Sequence, residues 1–323
     1  MRAAIIAMWA RACRQPRIVV NPSGLVEALA PLMARHGNPD MHVDNDAQEL
    51  YLILADALSE VRWPSVGEAA LPSAVALALA GQTRQVVRCE SCNARSVGTP
   101  EDFTTLALDL PDADASETRL AGIAGVCTDA AIEAMLETHL RPTRVADYAC
   151  DACGRGEGEE GRGRSATRFC CLWRLPRLLV LTVKRFGDGG RTRGGLAVNR
   201  TEVHPSPVLR ADLLAPLAAP GSPAAGILER RQGSARPPVV YRLCALVCHS
   251  GASMRAGHYV ACTRRPGTND WHVHDDGTTA PCPNPSGATG AFFRRSAYMI
   301  FYELGGEPPP CHPAPLPPSV GGT

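Results

Sequence analysis

Residues able to move a proton flank a basic turn: Gly257-His258-Tyr259 before it and Trp271-His272-Val273-His274-Asp275-Asp276 after it. An imidazole that donates one N–H to a carboxylate is fixed in a single tautomer. Its other ring nitrogen can then take a proton from a nucleophile. For this to happen here, the two stretches must be paired strands. Tyr241, Leu243, Ala245 and Val247 lead in at alternate positions, and His258-Tyr259-Val260-Ala261-Cys262-Thr263 continues the strand pattern. Arg264-Arg265-Pro266-Gly267-Thr268-Asn269-Asp270 is rich in turn formers. His258 and Asp275 are equidistant from Pro266-Gly267, so a hairpin centred there predicts that they lie directly opposite each other on one face. The same residues also fit an edge hairpin that carries an ordinary surface histidine.

A second constellation is Cys89-Glu90-Ser91-Cys92 with Cys150-Asp151-Ala152-Cys153. Each Cys-x-x-Cys knuckle lets two thiolates approach one ion from a tight turn, and two knuckles complete a closed tetrahedral Cys₄ zinc site. The 57 residues between the knuckles require an excursion, which the strand and helix patterns in 93–149 supply. A closed site has no position for water, so the predicted zinc is structural. Reduced thiols in turns, or a redox pair, are the other readings of the same cysteines.

The elements that must position these groups are legible in outline. Residues 24–35 and 44–60 read as helices, the second with Leu50, Leu54 and Leu58 at helical spacing after an Asp/Asn cap. From Val86 the period becomes two, with a strand marked by Phe103, Leu106, Leu108 and Leu110 and a helix at about Asp129–Leu140. Phe169 to Pro176 and Leu178 to Phe186 read as strands at the centre of a sheet. Gly154–Arg164, Gly187–Gly195 and roughly Ala215–Pro238 are predicted loops inserted in one domain. The Pro/Gly-rich stretch from Gly305 to Thr323 is predicted to be disordered.

Composition narrows the function classes. The 323 residues can bury a sizeable core. A net charge of +1 gives no electrostatic case for a nucleic-acid or anionic-membrane partner. The 13 cysteines are odd in number, and the opening apolar run is short and interrupted by Arg2, Arg11 and Arg14. Both features point to a reducing cytoplasm or nucleus, and no run reaches the length of a membrane span. Lys184 is the only lysine among 33 basic residues; either a G/C codon bias or selection against acceptor amines produces that pattern.

Taken in order, these motifs resemble the ubiquitin-specific proteases, papain-like deubiquitinases built as fingers, palm and thumb. Asp44-Asn45-Asp46-Ala47-Gln48-Glu49-Leu50 resembles the family's QQDAxEF segment of the thumb, and the knuckles resemble its zinc-bearing fingers. Arg174-Leu175-Pro176 through Val183-Lys184-Arg185-Phe186 resembles the LPxxLxLxLKRF strand. Tyr241 to Gly251, Gly257-His258-Tyr259, Trp271 to Asp276 and Ala297 to Tyr302 resemble the palm.

The resemblance implies an α+β papain-like fold: thumb about 1–80, zinc-ribbon fingers about 81–170 and antiparallel palm about 171–304, with the first part of the thumb missing. It implies His258 as the catalytic histidine, Asp275 as its orienting acid and Asp276 as a second acid. Cys89, Cys92, Cys150 and Cys153 would be the zinc ligands. Asp46 and Glu49 would lie near bound ubiquitin, unless they only cap a helix. Gly257 and Tyr259 would lie along the ubiquitin tail, with Ser250 to Ala256 as a mobile loop over it.

The departure is at the front. The family's Gly-x-x-Asn-x-Gly-Asn-Thr-Cys box has no counterpart here, and Cys13 lacks the preceding Asn. Cys248 cannot substitute, because it neighbours His249 on a strand and the two face opposite sides. The expected function is therefore thiol-dependent hydrolysis at the ubiquitin C-terminus that needs a nucleophile from an upstream segment. A catalytically inactive ubiquitin-binding module and a zinc-ribbon adaptor are the alternatives.

Overall fold

The computed structural model describes residues 21–37, 46–59, 74–110, 130–153, 163–192, 195–210, 240–253, 256–286 and 290–305. The chain divides into two units, Met1–Val43 with Gly305–Thr323, and Asp44–Leu304. In the first, α1 (Ser23–Arg35) buries Leu29 and Met33, one helical turn apart. The Asn21 carboxamide oxygen accepts from the Ser23 amide at 2.9 Å and so satisfies one donor at the helix start.

The second unit starts with α2 (Ala47–Ser59) and α3 (Ala74–Leu79). Asp46 caps α2, its carboxylate accepting from the amides of Gln48 at 2.6 Å and Glu49 at 3.2 Å. Next come β1 (Gly81–Cys89), β2 (Arg95–Phe103), β3 (Leu106–Asp109), β4 (Ala130–Ala131), α4 (Ile132–His139), β5 (Thr143–Tyr148) and β6 (Arg164–Arg174). The remaining elements are β7 (Leu178–Lys184), β8 (Phe186–Thr192), β9 (Gly195–Val198), β10 (Val203–His204), β11 (Val208–Arg210), β12 (Val240–Ser253), β13 (Ala256–Arg264), β14 (Trp271–Asp275), β15 (Thr278–Cys282), α5 (Ala291–Ser296) and β16 (Ala297–Leu304).

Two sheets carry the chemistry. A four-stranded antiparallel sheet runs β2-β1-β6-β5. A ten-stranded sheet has the path β15-β14-β13-β12-β16-β7-β3, with β8, β9 and β11 attached to it. Within it β7 lies between β16 and β3, and its Leu179, Leu181 and Val183 enter one core cluster while Val180 enters another on the opposite face. Burial on both faces explains why Leu178–Val183 is apolar almost without a break. The predicted antiparallel palm holds except at β3, which pairs with β7 in parallel.

Two expectations of irregular chain are corrected. Most of Gly187–Gly195 lies in a β-hairpin, β8 with β9; its glycines suggested a turn but do not prevent backbone pairing. Ser250–Ala256, expected as a loop, is largely strand: β12 pairs with β13 as far as Ser253↔Ala256. The expectations for residues 154–162, Ala215–Pro238, Cys13 and the tail beyond Gly305 lie outside the described residues.

Arg185 ties the sheet to its surroundings without a carboxylate. It is 1% exposed, and its guanidinium donates to the carbonyls of Ala297 (2.5 Å), Asn199 (2.9 Å), Thr201 (3.0 Å) and Arg294 (2.9 Å). Burial lowers its pKa to about 10, which still leaves it charged at neutral pH. The planar fork suits four fixed carbonyls in a way that an ammonium does not.

Candidate active site

The hairpin β13–β14 is present, but its register differs from the symmetric expectation. Ala261 pairs with His274 and Arg264 with Trp271, so continuing the ladder sets Val260, not His258, against Asp275. The turn is centred between Gly267 and Thr268, one position further along the chain than Pro266-Gly267, and Gly267 takes a left-handed φ of 74°. His258 and Asp275 are therefore diagonal neighbours on one face. A separation of about 7–8 Å between diagonal backbones is spanned by the two side chains.

The bond itself is made: His258 Nε2 lies 2.5 Å from Asp275 Oδ1. With the proton held at Nε2 by the carboxylate, the basic lone pair of neutral His258 resides on Nδ1. Asp276 joins the pair, its carboxylate within 4.8 Å of the other two groups. It sits in the two-residue turn between Asp275 and Thr278 with φ 47°, a left-handed conformation that aspartate tolerates better than most side chains. All three residues are exposed, so the site is open to a large ligand.

His274, two positions after His272 on the same strand of this hairpin, is not a competing base. His274 is bracketed by hydroxyls, Thr263 Oγ1 at 2.8 Å from Nε2 and Thr279 Oγ1 at 3.2 Å from Nδ1. Burial, and then His272, push its pKa down. Nor do the nearby thiols serve as nucleophiles. Burial pushes Cys248 and Cys244 up to about 12 and raises Cys262 as well. Among the described residues no cysteine joins the His258 group.

Cys248 and His249 do face opposite sides, for a reason the alternation only partly showed. Tyr241 and Leu243 lie in the same core cluster as Leu246 and Cys248, so the buried parity of β12 shifts by one between Leu243 and Leu246. Val247 then packs with the opposite cluster. There His249 packs at a tilt of 58° against Tyr259, ring centroids 4.9 Å apart, and Phe186 meets both His249 and Tyr298 edge-on at 5.2 Å. Tyr298 donates to the Asp46 carboxylate at 2.8 Å, linking the capped end of α2 to the sheet. Sequence reasoning assigned no role to His249. The signal available was that a histidine one position after a core cysteine must lie on the other face.

Gly257 and Tyr259 therefore face partners within the protein. A Cβ on Gly257 would lie 2.2 Å from His249 Nε2, and Tyr259 is half-buried in the aromatic group. Asp46 both caps α2 and accepts from Tyr298, while Glu49 lies in the first turn of α2.

The four knuckle cysteines converge at one end of the four-stranded sheet. Cys89 closes β1 and Cys92 lies in the turn to β2, where Asn93 takes a left-handed φ of 59°; Cys150 and Cys153 follow β5. Their sulfurs all lie within 4.8 Å of one another, with Cys89–Cys153 at 3.8 Å and Cys92–Cys150 at 3.6 Å. The donor set suits a tetrahedral soft-metal site. Its electrostatics point the same way. The Cys92 backbone amide is the main cause that lowers Cys89 to about 6, while neighbouring thiols, Cys92 first, raise Cys153 to about 12. Four thiols this close cannot all ionise without a cation between them.

Comparison with known proteins gives this geometry a family. A family profile described as "Ubiquitin carboxyl-terminal hydrolase" matches residues 2–302. Ubiquitin carboxyl-terminal hydrolase 36 of Drosophila melanogaster is 29% identical over 69% of this chain and 17% of its own length. Human ubiquitin carboxyl-terminal hydrolase 21 is 29% identical over 72% of this chain and 34% of its own. The chain thus spans about a third or less of these relatives.

Among solved structures, the SAGA Ubp8/Sgf11/Sus1/Sgf73 DUB module bound to ubiquitin aldehyde matches with a TM-score of 0.63. That match has 17% identity and covers 88% of this chain and 54% of the other, so it speaks for the fold alone. With the profile spanning nearly every residue, the chain belongs to the ubiquitin carboxyl-terminal hydrolase family.

Proposed function

We propose that this chain carries the proton-transfer half of a thiol-dependent deubiquitinase that cleaves isopeptide or peptide bonds at the ubiquitin C-terminus. The observation that carries the reading is the 2.5 Å contact between His258 Nε2 and Asp275 in a chain of this family. Nδ1 of His258 takes the proton of a cysteine thiol as the thiolate attacks the scissile carbonyl. The imidazolium then returns that proton to the leaving amine. Asp275 stabilises the imidazolium and keeps the ring in register. Asp276 adds negative charge beside it.

The thiol comes from outside the described residues, since among these no cysteine joins the His258 group and burial raises Cys244, Cys248 and Cys262. That same fact favours the second reading, a ubiquitin-binding domain without turnover of its own. We further assign the Cys₄ group to zinc. Bound there, zinc supplies structural cross-linking only, holding the β1–β2 turn to the segment after β5 through Cys89, Cys92, Cys150 and Cys153.

The test uses the 323-residue protein with ubiquitin and with a fluorogenic ubiquitin C-terminal amide. Saturable ubiquitin binding is expected, with no turnover until a segment bearing the Gly-x-x-Asn-x-Gly-Asn-Thr-Cys box is joined ahead of it. A chain that neither binds ubiquitin nor gains turnover with that segment removes the reading.

A further inference from the structure

His258 and Asp275 are half-exposed, at 46% and 53% for their side chains, so no buried pocket shapes the pair. Its geometry must reach it through the backbone of β13 and β14. On the β13 side the last regular rungs are Tyr259↔His249, His258↔Ser250 and Gly257↔Gly251, before a bulge between Gly251 and Ser253. At this loosening end of the ladder His249 is 2% exposed. Its ring is held by Tyr259 at 4.9 Å and Phe186 at 5.2 Å. The face it turns outward from this clamp lies on the α-carbon of Gly257: a Cβ there would stand 2.2 Å from Nε2 and 2.7 Å from Cε1. A glycine is required at 257 because the imidazole of His249 occupies the volume of any side chain.

We propose that His249 is a positioning residue for the catalytic pair: its clamped ring seats the Gly257 backbone and so sets the origin of the His258 side chain at the distance that closes the bond to Asp275. The inference deepens the reading of His258 and Asp275 as base and orienter, and rests on it. The seat is steric, since the contact is between ring atoms and the place of a missing Cβ. It also joins the pair to the rest of the fold, through Phe186 to Tyr298 and from Tyr298 to Asp46 at the start of α2.

The experiment reads the His258 ring directly by two-bond ¹H–¹⁵N correlation in the 323-residue protein, so it requires neither ubiquitin nor turnover. In the native protein the neutral ring is expected as the Nε2–H tautomer. His249→Ala should bring in the Nδ1–H tautomer several-fold above its native population. His249→Gln, whose amide reaches about as far as Nε2, should return most of the native signal.

Gly257→Ala should disturb His258 strongly in the native background and much less in His249→Ala, a coupling that two independent sites do not show. Phe186→Leu serves as the control: it loosens the same aromatic group without touching Gly257 and should lower the melting temperature with a smaller tautomer change. An unaltered His258 signal in His249→Ala, or additive effects of Gly257→Ala and His249→Ala, overturns the proposal. Where His249→Ala does not fold, a native His258 signal in His249→Gln combined with Gly257→Ala overturns it equally. A native His258 signal of the expected tautomer in a protein that neither binds ubiquitin nor gains turnover when joined to the cysteine-box segment would count against the deubiquitinase reading instead.

Discussion

Among the histidines and cysteines of the palm sheet, environment decides which can take part in acid–base chemistry. His258 offers an imidazole bonded to one carboxylate and open to solvent; His274 is locked between two threonines, and Cys248 is buried and raised to about 12. Asp275→Asn preserves the shape but can present an amide N–H to Nε2, which favours the wrong tautomer. It should lower turnover of the thiol-bearing enzyme by about 10²–10⁴-fold with little change in melting temperature. Comparing kcat/KM with thermal unfolding checks this, and equal loss in both would mean that Asp275 is structural. That the two residues meet was legible from the sequence. Their register was not, because Pro266-Gly267 attracts a turn assignment while hydrogen bonding centres the turn one position later. A slip of one position still leaves His258 and Asp275 on a shared face, which is why the pairing survived the error.

At the scale of elements, the paired knuckles were the most readable feature, since two Cys-x-x-Cys turns restrict the partners far more than any single cysteine does. One zinc per chain is expected by elemental analysis of purified protein. Cys150→Ser with Cys153→Ser should remove it and unfold the four-stranded sheet, and unchanged zinc would cancel the assignment. The β8–β9 hairpin was missed because glycine-rich composition reports turn preference, whereas pairing is settled by neighbouring strands.

A second element-scale prediction concerns α5. Glu202 accepts from Arg294 at 3.0 Å and Arg295 at 2.6 Å, hydrogen bonds that hold its carboxyl below the ordinary value. A depressed folded pKa contributes stability above the unfolded carboxylate pKa of about 4.3, lost as pH falls through the folded value. Glu202→Gln should therefore lower the melting temperature at neutral pH, and the gap to the native protein should close below about pH 4. A gap independent of pH would refute the linkage.

Across the whole molecule, the strand β7 from Leu178 to Lys184 contributes to both faces of the sheet. Its last residue and the one that follows are basic and of unequal weight. Lys184 pairs with Asp109 at 2.9 Å, but the two side chains are 49% and 68% exposed, so Lys184→Ala should cost no more than about 1 kcal/mol. Arg185 is buried on four carbonyls, and replacing it by Leu strands those acceptors, at about 3–5 kcal/mol; denaturant unfolding separates the two. Sequence pattern located the strand, yet it could not show which residue carries the fold, because both are simply basic until burial is known.

The central claim is that His258, oriented by Asp275, is the base of a ubiquitin C-terminal hydrolase. Its most direct test is kcat/KM on a fluorogenic ubiquitin C-terminal amide, measured for the chain joined to a cysteine-box segment and for its His258→Ala variant. A loss of about 10³-fold or more in His258→Ala, with ubiquitin binding retained, is the predicted result. Turnover that survives His258→Ala would contradict it.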